Sequence, residues 1–364
     1  MNKLLFFGII LLLRGFTQVS GQIPEGQPFF VGTYTDGKSE GIYKFILHDG
    51  GSLQKVKLLA KASNPSFLTL SGNKRFLLAV NEDKQGAVES FSVADDTLLL
   101  TGKSSSGGSS PCYVFINSSG YVLVSNYGSG TVGLLKMNHD GNLSKLLFVE
   151  DHNAKNYPVA NAHAAQFVPG SNMVISADLG TNRLWFSRLD SSVRKLVPLK
   201  WQTFNLPDKS GPRHFVLHPN GKWIYVINET GNSVSLIKRV GIEDYALVEM
   251  VSTLPDGYNE TSYGGDIHLS ADNRFLYASN RGFNSIAIFN VNPKNGSITL
   301  IGNEPVHGDF PRNFALSPDN NYLLVANQKS DNIVAFKRNK NTGMLQYVDE
   351  VAAPKSVCIL FYGN

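Results

Sequence analysis

The sequence predicts an all-β fold: a seven-bladed β-propeller whose ring is closed by the C-terminal strand joining the N-terminal blade. Three observations predict it. First, a short apolar strand ending in Asn or Asp recurs down the chain. That residue falls at Asn81, Asn126, Asp178, Asn228, Asn280 and Asn327, spaced 45, 52, 50, 52 and 47 apart. Second, each copy has strand-like companions separated by Gly, Pro and Asn turns, which is the pattern of a four-stranded blade. Third, the chain ends complement each other. FFVGTYT at 29–35 is a second strand with no first, and SVCILFY at 356–362 is a first strand with no second. Joining them closes the ring and hides two sheet edges that an open solenoid leaves exposed.

Residues 1–21 precede this pattern. Lys3 leads into ten apolar residues from Leu4 to Leu13, Arg14 ends the run, and the small residues Ser20 and Gly21 follow. A helix needs about 20 apolar residues to cross a bilayer, so the run reads as a secretory signal peptide. The protein is expected to be exported, to a periplasm or the extracellular space, with 22–364 as a single domain and no membrane span in the mature chain.

Within each blade the elements follow in a fixed order. An inner strand comes first, as in PSFLTLS, PCYVFIN, AHAAQFV, PRHFVLH, GGDIHLS and PRNFALS, beginning near Ser66, Cys112, His163, Arg213, Gly265 and Arg312. A turn such as His218–Gly221 or Ser317–Asn320 leads to the Asn-ending second strand. Gly- and Ser-rich turns then lead to a third strand, such as TVGLLKM, SVSLIKR or NIVAFKR, and a less regular fourth closes most units.

Composition narrows the function. Hydrophobic residues make up 42% of the 364 and charged residues 17%, enough apolar content for a large core. The formal charge of +4 falls to +2 without Lys3 and Arg14, and no basic cluster exists, so nucleic acid is not an expected partner. Cys112 and Cys358 are too few for a disulfide framework and read as buried small hydrophobes. No Cys/His zinc pattern occurs, and no metal or cofactor is expected.

The candidate site comes from where the repeats differ. The start of an inner strand and the end of the second strand meet at one face of the disc, around the central channel. That mouth is expected to gather His163, Arg213, Glu229, Arg281 and Arg312, with Glu82, Asn126, Tyr127 and Gln328 nearby. Three arginines imply an anionic ligand, and a His beside a Glu can move protons near neutral pH. With no GxSxG elbow, activated water is preferred to an acyl-enzyme. Singly, each residue has a plainer reading: a hydrogen-bonded structural histidine, or arginines paired across blades. The strand-ending Asn and Asp are read mainly as turn-holders. His214, His218 and His268 are assigned to structure.

The segments VGTYT at 31–35, NPSFL at 64–68, SNYGSGTV at 125–132, GPRHF at 211–215, SNRG at 279–282 and PRNFALSPD at 311–319 resemble the seven-bladed propeller lactonase family. That family includes bacterial 6-phosphogluconolactonases and fungal carboxymuconate-lactonising cycloisomerases, and the resemblance covers about residues 28 to 362. It implies catalytic roles for His163, Arg213, Glu229 and Arg281. The chain departs from the family pattern at Ala160–His163, where Pro-His-x-His is frequent, at Tyr113, where His is common, and at Asp266, where Glu is common. The preferred reading is a metal-independent lactonase acting on a small anionic lactone or carboxylate, and the protein is expected to be a monomer. His163 would be the base, Arg213 and Arg281 the anion and oxyanion partners, and Glu229 the group orienting His163 or water. Cycloisomerase chemistry, or a non-catalytic secreted propeller binding a glycan or protein, are the alternatives.

Overall fold

The computed structural model describes residues 26–94, 97–153, 159–241 and 244–362; the expected signal peptide at 1–21 lies outside them. Among the described residues, 28 strands form seven four-stranded antiparallel sheets. Blade 1 runs outward from Ser356–Phe361 through Gln27–Thr33 and Gly41–Leu47 to Leu53–Lys61. The two ends of the chain therefore share one sheet, with Val31 opposite Ile359. Blades 2 to 7 run outward in chain order from inner strands at Leu68–Leu70, Pro111–Ile116, Ala162–Phe167, Pro212–Leu217, Tyr263–Leu269 and Pro311–Leu316. Each inner strand touches those of the two adjacent blades, and these contacts run round in a closed ring.

Second strands are mostly apolar and almost wholly buried because a neighbouring blade covers each face. Tyr121–Asn126 and Tyr322–Asn327 are buried at every position, whereas the outer strand Tyr245–Ser252 has no fully buried residue. An apolar cluster fills each blade interface. The one between blades 7 and 1 sets Phe29, Phe45 and Ile359 against Leu324 and Ala335. Ring closure therefore buries side chains worth about 1.5–3 kcal/mol each. The Asn or Asp ending each second strand is also buried. Asn280 Nδ2 donates to Thr253 O at 3.0 Å and Asn327 Nδ2 to Val306 O at 3.2 Å, which ties the strand end to the preceding loop.

The ladder slips at the start of most inner strands. Ala162 pairs with Asp178 and Ala164 with Ala177, leaving His163 outside the register. Cys112 and Arg312 are left out in the same way. In blades 5 and 6 two residues face one, Arg213 with His214 and Gly265 with Asp266. Such bulges bend the strand and re-aim side chains. Here three of them, Cys112, His163 and Arg312, line the cavity described below.

Candidate active site

A cavity of about 250 Å³ opens where inner strands begin and second strands end. His163, Cys112 and Arg312 reach it from bulges; Tyr34, Glu82, Tyr127, Glu229 and Arg281 reach it from the ends of second strands. A larger groove of about 680 Å³ beside Ser118 and Gly120 is mostly serine, asparagine and glycine, with one lysine and one histidine. The reactive chemistry lies in the smaller cavity.

Glu229 organises one side of it. Its Oε2 lies 2.7 Å from an Arg281 terminal nitrogen and 3.1 Å from Arg213 Nε. The Arg213 contact is an ion pair whose angle is not that of a hydrogen bond, so this Nε stays without a hydrogen-bond partner. Backbone carbonyls complete the clamp: Arg213 donates to Gly265 O and Arg281 to Gly264 O, both at 2.6 Å. Burial opposes ionisation of Glu229, but Arg281 and Arg213 outweigh it and hold the carboxyl below its ordinary value. Burial and then Arg213 push Arg281 down to about 9, which leaves it charged at neutral pH.

Opposite stands a second, looser set. Tyr34 donates its hydroxyl to Glu82 Oε2 at 2.9 Å, and Ser66 donates to the same oxygen. Arg312 lies 3.9 Å from Glu82 Oε1 and 5.4 Å from the Tyr34 ring centroid. Burial pushes the Tyr34 hydroxyl up, so it remains a neutral donor.

His163 lies between these sets. Burial first, then the charge of Arg213, holds its pKa well below the ordinary value, so the imidazole is neutral and free to accept a proton. Nδ1 is 3.6 Å from Cys112 Sγ, and the residue lines the cavity. The Tyr127 ring meets His163 edge-on at 5.5 Å. Cys112 Sγ is also within 3.8 Å of the carbonyl oxygens of Ser125, Ala162 and His163. Burial raises its pKa strongly, so the sulfur stays a thiol and is a poor nucleophile.

The structure thus brings His163, Glu229, Arg281, Arg312, Tyr127 and Glu82 together and corrects four expectations. Asn126 is turned away from the channel: its Nδ2 donates to Ser106 O and Thr131 Oγ1 at 3.0 and 3.1 Å, the turn-holding role of its repeat position. Gln328 does not line the cavity; its Oε1 is buried, without a hydrogen-bond partner among the described residues. Arg213 stands behind the cavity wall, 2% exposed, and acts through Glu229. Glu229 itself contacts arginines, not His163.

Sequence reasoning also missed the channel below. His214 donates from Nδ1 to Asp266 Oδ1 at 2.7 Å, and His268 Nε2 lies 2.9 Å from Asp266 Oδ2. Asn313 donates to the same carboxylate. His214 meets His163 edge-on at 5.2 Å, and an Arg213 terminal nitrogen lies 3.3 Å from its ring nitrogens. Burial and then Arg213 push His214 down to about 4, so it is neutral. His218 holds a turn as expected, its Nδ1 accepting from Asn220 N at 3.1 Å. Among the described residues, no cluster of three or more His, Cys, Asp or Glu is placed to hold a metal ion.

Comparison with known proteins agrees with this architecture. The family model described as "Lactonase, 7-bladed beta-propeller" matches residues 28–361. A 6-phosphogluconolactonase of Bacillus subtilis is 32% identical over 343 residues, spanning 91% of this chain and 97% of that protein. Another, from Formosa agariphila, is 36% identical over 309 residues, or 79% and 85%. The solved structure of a periplasmic gluconolactonase from Pseudomonas aeruginosa superposes with a TM-score of 0.88 at 29% identity, covering 92% of this chain and 98% of that one.

Proposed function

The chain belongs to the seven-bladed β-propeller lactonase family, and we propose that its channel-mouth cavity hydrolyses a sugar lactone with His163 as the base. The protein is a lactonase; the residue roles that follow are inferred. His163 takes a proton from a water that attacks the lactone carbonyl. Arg281, assisted by Arg312, stabilises the oxyanion that develops. When the ring C–O bond breaks, the imidazolium returns its proton to the departing alkoxide, and one water has been added to give the open hydroxy acid. Glu229 keeps Arg281 oriented, while Tyr127, Tyr34 and Glu82 are placed to bind ring hydroxyls.

One observation carries this reading: a neutral imidazole shares a 250 Å³ cavity with two guanidiniums, one of them gripped by Glu229 at 2.7 Å and the other 3.9 Å from Glu82. Each catalytic group is also supplied by the one chain, so we infer that the protein acts as a monomer. Export is inferred from the leader-like residues 1–21 and from the periplasmic location named for the Pseudomonas aeruginosa neighbour.

The test is pH-stat titration against a panel of aldonolactones and phosphorylated sugar lactones, with the His163→Ala variant alongside. Hydrolysis by wild type and its loss in the variant are expected. Equal rates would remove His163 from the mechanism.

A further inference from the structure

In five blades a residue leading into the inner strand has a left-handed backbone, immediately before the strand in four and four residues before it in blade 2. These are Asn64, Ser110, Gly211, Phe310 and Lys355, with φ of 42°, 51°, 64°, 65° and 55°. Each uses its carbonyl to cap the end of the second strand, accepting from Glu82 N, Tyr127 N, Glu229 N, Gln328 N and Tyr34 N at 2.7–3.1 Å. Gly and Asn take this conformation readily, whereas a bulky L-residue is strained there. Blade 7 nevertheless places a phenylalanine at this position.

The ring of Phe310 shows what the strained position provides. Its centroid lies 5.2 Å from the Arg281 guanidinium carbon and 4.0 Å from Lys329 Nζ. Arg281 Nε is buried with no hydrogen-bond partner, so on this side the guanidinium rests against an aromatic face. Asn284 fixes the loop that carries the ring, its Oδ1 accepting from Phe310 N and its Nδ2 donating to Asp309, both at 2.9 Å.

We propose that Phe310 is a positioning residue, held in a strained backbone conformation so that its ring fixes the Arg281 guanidinium against the cavity. This rests on the lactonase reading, in which Arg281 stabilises the developing oxyanion. Strain retained at a functional residue is favoured when the geometry serves catalysis, and a cation against an aromatic ring is held more firmly where water is excluded.

The test is the Phe310→Asn variant, since Asn suits the backbone and lacks the ring. Relief of strain is expected to raise Tm by about 2 °C, while kcat falls about tenfold and KM stays within about twofold. Phe310→Leu, which keeps bulk without a π face, is expected to lose kcat similarly, and Phe310→Tyr to recover most of it. A Phe310→Asn or Phe310→Leu enzyme with wild-type kcat overturns the proposal. So does a Phe310→Asn variant whose Tm falls along with its activity, which is the result of a purely structural residue. Should wild type hydrolyse no lactone, the lactonase reading fails first; the proposal is then read from citrate, whose stabilising Tm shift must shrink in Phe310→Asn and Phe310→Leu if the ring positions Arg281.

Discussion

Glu229 grips Arg281 at 2.7 Å with the same carboxylate oxygen that stands 3.1 Å from Arg213. One acidic side chain thus balances two buried guanidiniums, and its depressed pKa makes it a weak base. Its value to the site is geometric. Replacing it by Glu229→Gln leaves two cations without their shared anion, a change that costs about 3–5 kcal/mol when one partner of a buried pair is removed. Urea denaturation is expected to show that loss, together with a fall in kcat/KM. A Glu229→Gln protein as stable as wild type would mean that the carboxylate is not the clamp.

With His163 as the proposed base, it is expected to set the acid limb of activity. Its pKa is held well below 6.5 by burial and Arg213, so kcat is expected to stay level as pH falls from 8 through 6 and to decline only below that. His163→Gln should lower kcat by about 10²- to 10⁴-fold at every pH of the plateau. A pH–rate profile that breaks near 6.5 would assign the base elsewhere.

A reaction by activated water is expected to pass through no thioester. With burial and then the charge of Glu82 keeping Cys112 protonated, no acyl group should attach to the enzyme. Intact-protein mass spectrometry of samples quenched during turnover is expected to show the unmodified mass. An adduct lost in Cys112→Ala would overturn the water mechanism.

Two kinds of buried histidine pull stability in opposite directions with pH. His152 is raised: burial opposes its charge, but Asp178 at 2.8 Å and Glu150 at 3.6 Å favour it, and Trp185 stacks on the ring at 4.2 Å. Its contribution is full below the unfolded value near 6.5 and is lost as pH rises through the folded value. The stability difference between wild type and His152→Gln should therefore shrink as pH rises above neutrality. His214, lowered to about 4, behaves in reverse. Unfolding lets it take up a proton, so its contribution drains away as pH falls from about 6.5 towards 4. Chemical denaturation across pH, on wild type and each single variant, separates the two.

Much of this was legible in the sequence because a propeller repeats its hydrophobic pattern. The spacing of Asn81 to Asn327 and the matching orphan strands at Val31 and Ile359 specify the ring before any geometry is known. The differing residues at strand ends marked His163, Glu229 and Arg281. What stayed hidden was the bulges. A regular strand sends Arg213 and His214 to opposite faces, so His214 reads as structural. The two-for-one slip against the second strand instead sets Arg213 behind Glu229 and His214 against Asp266, which follows Gly265 in the matching slip of blade 6. That slip lies within a hairpin of neighbouring strands, Pro212–Leu217 with Trp223–Asn228 and Tyr263–Leu269 with Phe275–Arg281, and leaves no mark on the apolar pattern. Asn126 was misplaced for a simpler reason, since its neighbour Tyr127 enters the cavity while the amide turns back to the loop.

The slipped register has an evolutionary consequence. A residue standing outside the ladder can be exchanged without breaking a cross-strand pair, so Cys112, His163 and Arg312 occupy seats that are chemically free while the blades around them are not. Selection acting on such a disc can retune its chemistry one seat at a time. Relatives sharing this scaffold should accordingly diverge in what they accept long before they diverge in shape.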